Sequence, residues 1–176
     1  MSDNDESVRL FKESAILFKE GKYEKAITTL NKAVELDPDL WKAHNLLGII
    51  YDYQEKYNLA IHEYNYAVTL KPSEGFLYNN LGVSYSLMGE YDKAIQAFNK
   101  ALKFNTSDKK KLYNNLGLAL SKTGKYQLAM EAFKKGGDEA QAYSNLGFVY
   151  LQQGETQKAV RSFERAIASK PPFNLK

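Results

Sequence analysis

The strongest constraint in this sequence is a phrase that comes back. Tyr78-Asn79-Asn80-Leu81-Gly82 is followed by Gly89, Tyr91, Ala94, Phe98 and Ala101. Tyr113-Asn114-Asn115-Leu116-Gly117 leads in the same way to Gly124, Tyr126, Ala129 and Phe133, and Tyr143-Ser144-Asn145-Leu146-Gly147 leads to Gly154, Ala159, Phe163 and Ala166. Upstream, His44-Asn45-Leu46-Leu47-Gly48 precedes Tyr57, Ala60, Tyr64 and Ala67. The landmark glycines stand 34, 35 and 30 residues apart. A chain that repeats at such an interval builds its core as a ribbon, each unit burying its apolar face on its neighbours.

Within one unit, apolar residues recur at helical spacing. Leu47 and Tyr51, or Leu81 and Tyr85, mark the buried face of a first helix, A, over about 41–54 and again over about 76–88. Gly48 and Gly82 lie on that face, where a mid-helix glycine costs about 1 kcal/mol relative to alanine and therefore wants a packing reason. The expected reason is close approach by a second helix, B, with Ala60 and Ala94 as the small partners. Helix A stops at Glu55 or Gly89, glycine being the better stop because positive φ costs it nothing. Helix B then begins at Tyr57 or Tyr91 and is ended by Pro38, Pro72 or Pro171, since proline lacks the amide donor and forces its predecessor out of helical geometry. Asn105-Thr106-Ser107-Asp108 stands where the third unit lacks proline and supplies a cap for the next helix.

This pattern resembles the tetratricopeptide repeat, over about residues 7–173. The resemblance implies an all-α, right-handed α-solenoid of helix–turn–helix units, with repeats at about 7–40, 41–74, 75–109, 110–139 and 140–173. Residues 1–6 are expected to be a disordered polar tail and 174–176 a C-terminal tail. The first repeat is atypical, carrying Glu13-Ser14 where the others have Leu-Gly or its equivalent, which suits a cap. The fourth is about one helical turn short and meets Gly136-Gly137, two residues that should stop the helix. A tolerated deletion that alters the local twist and a bend before the last repeat are both compatible with it; the first is the simpler reading.

The totals exclude more than they assign. A net charge of +3, dispersed along the chain, gives no nucleic-acid footprint, and Lys109-Lys110-Lys111 reads as a solvated helix start. No apolar run approaches the eighteen or so residues of a membrane span, and the chain opens with the acidic Asp3, Asp5 and Glu6 where a signal peptide would be basic. The expectation is a soluble, cytoplasmic protein. With no cysteine, thiolate zinc sites and cysteine nucleophiles are out. His44 and His62 have no ligand-spaced partners; His44 stands where sister repeats have Tyr78, Tyr113 and Tyr143 and reads as a packing residue, and His62 as solvated. Neither a nucleophile elbow nor a phosphate loop is present. The sequence predicts no cofactor, no metal and no catalysis.

What remains is the groove that the resemblance places on the A-helix side. The residue after each landmark glycine, Ile49, Val83, Leu118 and Phe148, with Ala15 in the first repeat, forms an apolar stripe. Asn45, Asn79, Asn114 and Ser144 flank it three residues before each glycine, and Asn80, Asn115 and Asn145 two before. In the O-linked N-acetylglucosamine transferase branch of the family, asparagines at this last place hydrogen-bond the backbone of an extended peptide; an amide offers donor and acceptor side by side. The same amides also suit a second use, bridging neighbouring helices. The ladder is broken at Leu46 and Lys12. A carboxylate clamp of the chaperone-binding kind is disfavoured, because Phe11, Ala15, Leu46, Phe76 and Asn80 occupy its places. Tyr53, Phe76, Leu87 and Phe148 favour a partly apolar ligand, and Lys42, Lys111 and Lys122 a neutral or acidic one.

The expected function is a non-catalytic scaffold or adaptor whose groove takes a peptide or helical segment of another protein. The alternative is self-assembly into a homo-oligomer. No helix long enough to cover the last repeat follows it, so Val160, Phe163 and Ile167 are expected to be left partly open, for a second copy, a partner or a continuation of the chain to cover.

Overall fold

A computed structural model describes residues 3–104 and 108–169. Among these residues every regular element is a helix: α1 Asp3–Lys19, α2 Tyr23–Leu36, α3 Trp41–Tyr53, α4 Tyr57–Leu70, α5 Gly75–Leu87, α6 Tyr91–Ala101, α7 Lys109–Lys122, α8 Tyr126–Gly136, α9 Glu139–Gln152 and α10 Thr156–Ala168. Odd-numbered helices are the A helices and even-numbered ones the B helices of five successive hairpins. The expected ends at Asn105-Thr106-Ser107, at Pro171 and in the 174–176 tail lie outside the described residues.

One expectation at the N-terminus is corrected. Residues 3–6 form the first turn of α1 rather than a disordered tail. Asp3, Asp5 and Glu6 sit where the helix dipole favours negative charge, and Glu6 holds Arg9 one turn on, with 2.6 Å between Oε1 and Nη2. Residues 1–2 are outside the described set.

Each landmark glycine is a seat for an aromatic ring, and here too the expectation is corrected. A Cβ built on Gly48 would come within 2.6 Å of the Tyr64 ring, on Gly82 within 2.5 Å of Phe98, on Gly117 within 2.5 Å of Phe133, and on Gly147 within 2.6 Å of Phe163. Ala60 and Ala94 are fully buried, yet the glycine answers to the ring on helix B sixteen residues downstream. The first repeat changes both members together: Ser14 replaces the glycine and Leu30 the ring, both fully buried, with Ser14 Oγ donating to Leu10 O at 2.8 Å.

The A–B turn is equally regular. Gly21, Gly89, Gly124 and Gly154 have φ between 73° and 82°, and Glu55 holds the same conformation at φ 58°, the one positive-φ residue other than glycine among the described residues. A side chain there carries the left-handed penalty that glycine avoids.

Curvature follows from which helices meet. Successive A helices touch one another (α1 with α3, α3 with α5, α5 with α7, α7 with α9), whereas among the described residues no two successive B helices do. The A helices therefore form the inner wall of the curve and the B helices its outer side, with a furrow between each B helix and the next.

At the short fourth repeat, Gly136 is the last residue of α8 and Gly137 its extended C-cap at φ −164°. Gly136 is required by close approach, since a Cβ would lie 2.8 Å from Lys110 O and 2.6 Å from Asn114 Oδ1. Asp138 then caps α9 by accepting from Gln141 N at 2.7 Å. Stacking continues across the junction, where the Tyr126 and Tyr150 rings meet at 5.1 Å and Ala142 is fully buried.

Candidate binding groove

Four positions of each A helix, spaced three or four residues apart, line the inner wall. In the third to fifth repeats these are Phe76, Asn80, Val83 and Leu87 on α5, then Lys111, Asn115, Leu118 and Lys122 on α7, then Gln141, Asn145, Phe148 and Gln152 on α9. The apolar stripe is not uniform. Ala15, Ile49 and Val83 are half-buried, while Leu118 is 46% and Phe148 59% exposed. Phe148 stands edge-on over the Phe163 ring at 5.2 Å, so its outer face is held toward the groove. Leu87, 54% exposed, and Phe76 complete an apolar floor across three repeats. Tyr53 instead leans on Phe18 and Tyr23, with ring centres 5.4 and 5.9 Å away, at the N-terminal rim.

The asparagines come together in pairs. Asn80 Nδ2 donates to Asn45 Oδ1 at 3.0 Å, Asn115 Nδ2 to Asn79 Oδ1 at 3.2 Å, and Asn145 Nδ2 to Asn114 Oδ1 at 3.4 Å. Each bond joins one A helix to the preceding one, so the two asparagine rows anticipated along the groove are halves of a single cross-repeat pairing. Where the row is interrupted, Leu46 and Phe11 make the equivalent junction through one apolar cluster. The pairing uses one N–H of each donor amide, leaving a second N–H on each half-buried side chain at the groove wall. Ser144 has no asparagine opposite it, because no described repeat follows.

His44 does what its counterpart Tyr78 does. Its Nε2 is 3.0 Å from Pro38 O, as the Tyr78 hydroxyl is from Pro72 O, and its Nδ1 lies 2.7 Å from Glu63 Oε2. His62 is largely exposed. No group of acidic or histidine side chains capable of holding a metal occurs among the described residues.

A polar junction that sequence reasoning misses lies between the second and third repeats. Asp52 Oδ2 accepts from the Tyr64 hydroxyl at 3.0 Å, and both its oxygens lie 2.8 Å from Ser84 Oγ in the next repeat. Burial pushes the Asp52 carboxyl above its usual range, with the two hydroxyls pulling the other way. Burial, then the Asp52 charge, pushes the Tyr64 phenol upward. The signal available is Asp52 four residues after Gly48, a place where later repeats carry the small polar Ser86 and Ser121.

The open end holds one residue more than expected. Val160 is 48% and Ile167 73% exposed, and Leu151 joins them on the same face. Phe163 sits on Gly147 as the ring of its own repeat and is half-buried, whereas its counterparts Tyr64, Phe98 and Phe133 are fully buried.

Family profiles match along most of the chain. Profiles described as tetratricopeptide repeat match residues 42–74, 76–108, 110–136 and 140–172, and one described as TPR repeat matches 15–52. Among solved structures, one of MamA protein superposes with a TM-score of 0.80 at 24% identity, covering 100% of this chain and 98% of that one. A second MamA crystal structure gives 0.74 at 26% identity, covering 89% and 93%. YrrB, described as a TPR protein with an unusual peptide-binding site, gives 0.75 at 22% identity, covering 95% and 88%. No curated protein matches the sequence significantly. No helix is long and apolar enough to cross a membrane, among the described residues.

Proposed function

This chain belongs to the tetratricopeptide repeat family, and from that premise we propose that it is a non-catalytic adaptor whose inner wall, over the third to fifth repeats, takes an extended peptide or helical segment of a partner protein. Repeats of this family generally serve as protein-interaction modules, and the YrrB relative is itself described as having a peptide-binding site. The observation that carries the reading is the exposed apolar floor of Leu87, Leu118 and Phe148, bordered by half-buried amides. Isolated exposed leucines are ordinary, but Leu118 and Phe148 in register, with Leu87 about one turn along on the neighbouring repeat, are not. Leu118 and Phe148 would pack apolar side chains of the segment. Asn80, Asn115 and Asn145, each with an N–H beyond the cross-repeat pair, would meet its backbone.

The test is peptide selection against the purified chain, followed by affinity measurement on Leu118→Asp with Phe148→Asp. Both side chains are largely outside the core, so helicity should survive. Affinity should fall by roughly a hundredfold, the effect of removing two hot-spot side chains. Unchanged affinity in the folded double variant would remove the groove from the account.

A second reading is favoured by the exposure of Leu151, Val160 and Ile167 on the end of the last repeat. There a second copy would cover the face, and light scattering would show a mass that rises with concentration. A mass constant near 20.0 kDa would end that reading.

A further inference from the structure

The outer side of the molecule carries a feature that the groove does not use. Between α8 and α10, over α9, lies a depression of about 540 Å³. This is within the range of ligand-sized sites. Its floor is apolar and aromatic: Met130, Leu146, Tyr143 and Tyr150. Its α10 wall is cationic, with Lys158, Arg161 and Arg165 at three- and four-residue spacing along one face.

These cations differ from their counterparts. At the same places α8 has Leu128, Glu131 and Lys135, α6 has Lys93, Gln96 and Lys100, α4 has Leu59, His62 and Tyr66, and α2 has Lys25, Thr28 and Lys32. Only α10 carries three cations there. Among the described residues no carboxylate lies within ion-pair distance of Arg161 or Arg165, while Lys158 has only the exposed Glu155 at 3.3 Å. The Arg165 guanidinium is 5.7 Å from the Tyr143 ring and the Lys158 ammonium 5.7 Å from the Tyr150 ring, so the tyrosines hold both heads over the furrow. One carboxylate, Glu131, lines the opposite wall, leaving the furrow at a net charge of about +2.

We infer that this outer furrow is a second binding site, separate from the groove, for an acidic peptide segment whose carboxylates alternate with apolar side chains. Arginine pairs with a carboxylate through two parallel hydrogen bonds, and two such groups one turn apart can take two carboxylates of an extended or helical segment. The apolar and tyrosine floor decides between a peptide and a small free anion. An anion would be satisfied by the arginine heads and would leave Met130 and Leu146 unused, whereas apolar side chains between the carboxylates would fill the floor.

The probe is a fluorescein-labelled peptide alternating glutamate and leucine, with the glutamine analogue as its partner, titrated into the purified full chain and read by anisotropy. Saturable binding is expected for the glutamate peptide only, weakening as salt rises. Arg161→Glu with Arg165→Glu should weaken it by at least roughly tenfold, the loss of a charge-assisted pairing. Lys25→Glu with Lys32→Glu makes the same change of net charge at the equivalent face of the first repeat and should leave affinity within about twofold. Circular dichroism checks that both variants keep their helices. Absence of saturable binding, equal affinity for the glutamine peptide, or equal weakening in the two variants would overturn the proposal. Retention of binding in the Leu118→Asp, Phe148→Asp variant separates this site from the groove.

Discussion

The two ends of the stack are built from the same positions and differ in what those positions hold. At the N-terminal face Arg9 stands where inner repeats bury Ala43, Leu77, Leu112 or Ala142, and Lys12 where they place the buried Leu46 or the half-buried paired asparagines. Ile16 is left as an exposed apolar side chain there. The C-terminal face keeps junction residues: Leu151, Val160 and Ile167 occupy places that inner repeats cover with the next hairpin. A charged face is indifferent to stacking, since desolvating Arg9 would cost more than packing there returns. The apolar face has no such barrier. The difference teaches that a repeat's chemistry, and not its fold, decides whether it closes a stack or invites an addition.

The largest effect should come from breaking the ring seat at the apolar end. Phe163→Ala removes the ring from Gly147 and should cost about 3–5 kcal/mol, with chemical denaturation showing the last repeat melting first. Next, Gly117→Ala should cost about 1–3 kcal/mol by pressing a methyl group into Phe133. Ser14→Ala, its counterpart at the charged end, should cost about 1 kcal/mol or less, because Ser14 Oγ bonds only within its own helix. Similar losses at both sites would show that the two ends share one packing scheme after all. A third change sharpens the comparison from the stabilising side: Glu55→Gly relieves a left-handed residue and should gain about 1 kcal/mol in the same denaturation measurement. Smallest of all, Val160→Lys with Ile167→Lys converts the apolar end into the charged kind. Stability should stay within about 0.5 kcal/mol, and any self-association seen by light scattering should vanish.

The helix pairs and the glycine turns are legible in the sequence because each follows from short-range chemistry: spacing, positive φ, proline. The packing partner of the landmark glycine is harder to read. Small residues suggest small partners, which points to Ala60 and Ala94, although the chain holds the better clue in Ser14 and Leu30 changing together. The pairing of Asn80 with Asn45, or Asn115 with Asn79, depends on how two A helices register across a junction. No local pattern encodes that. The outer furrow depends on the gap between α8 and α10, which appears only once B helices are known to stand apart. The seat of Phe163 is hidden for the same reason, until Gly147 is placed beneath it.

The central claim is that the inner wall of the last three repeats holds a partner segment. Hydrogen–deuterium exchange with a library-selected peptide tests it most directly, in salt high enough to screen the outer furrow. The account predicts added protection confined to α5, α7 and α9. Protection on α8 and α10, or none in α7 and α9, would contradict it.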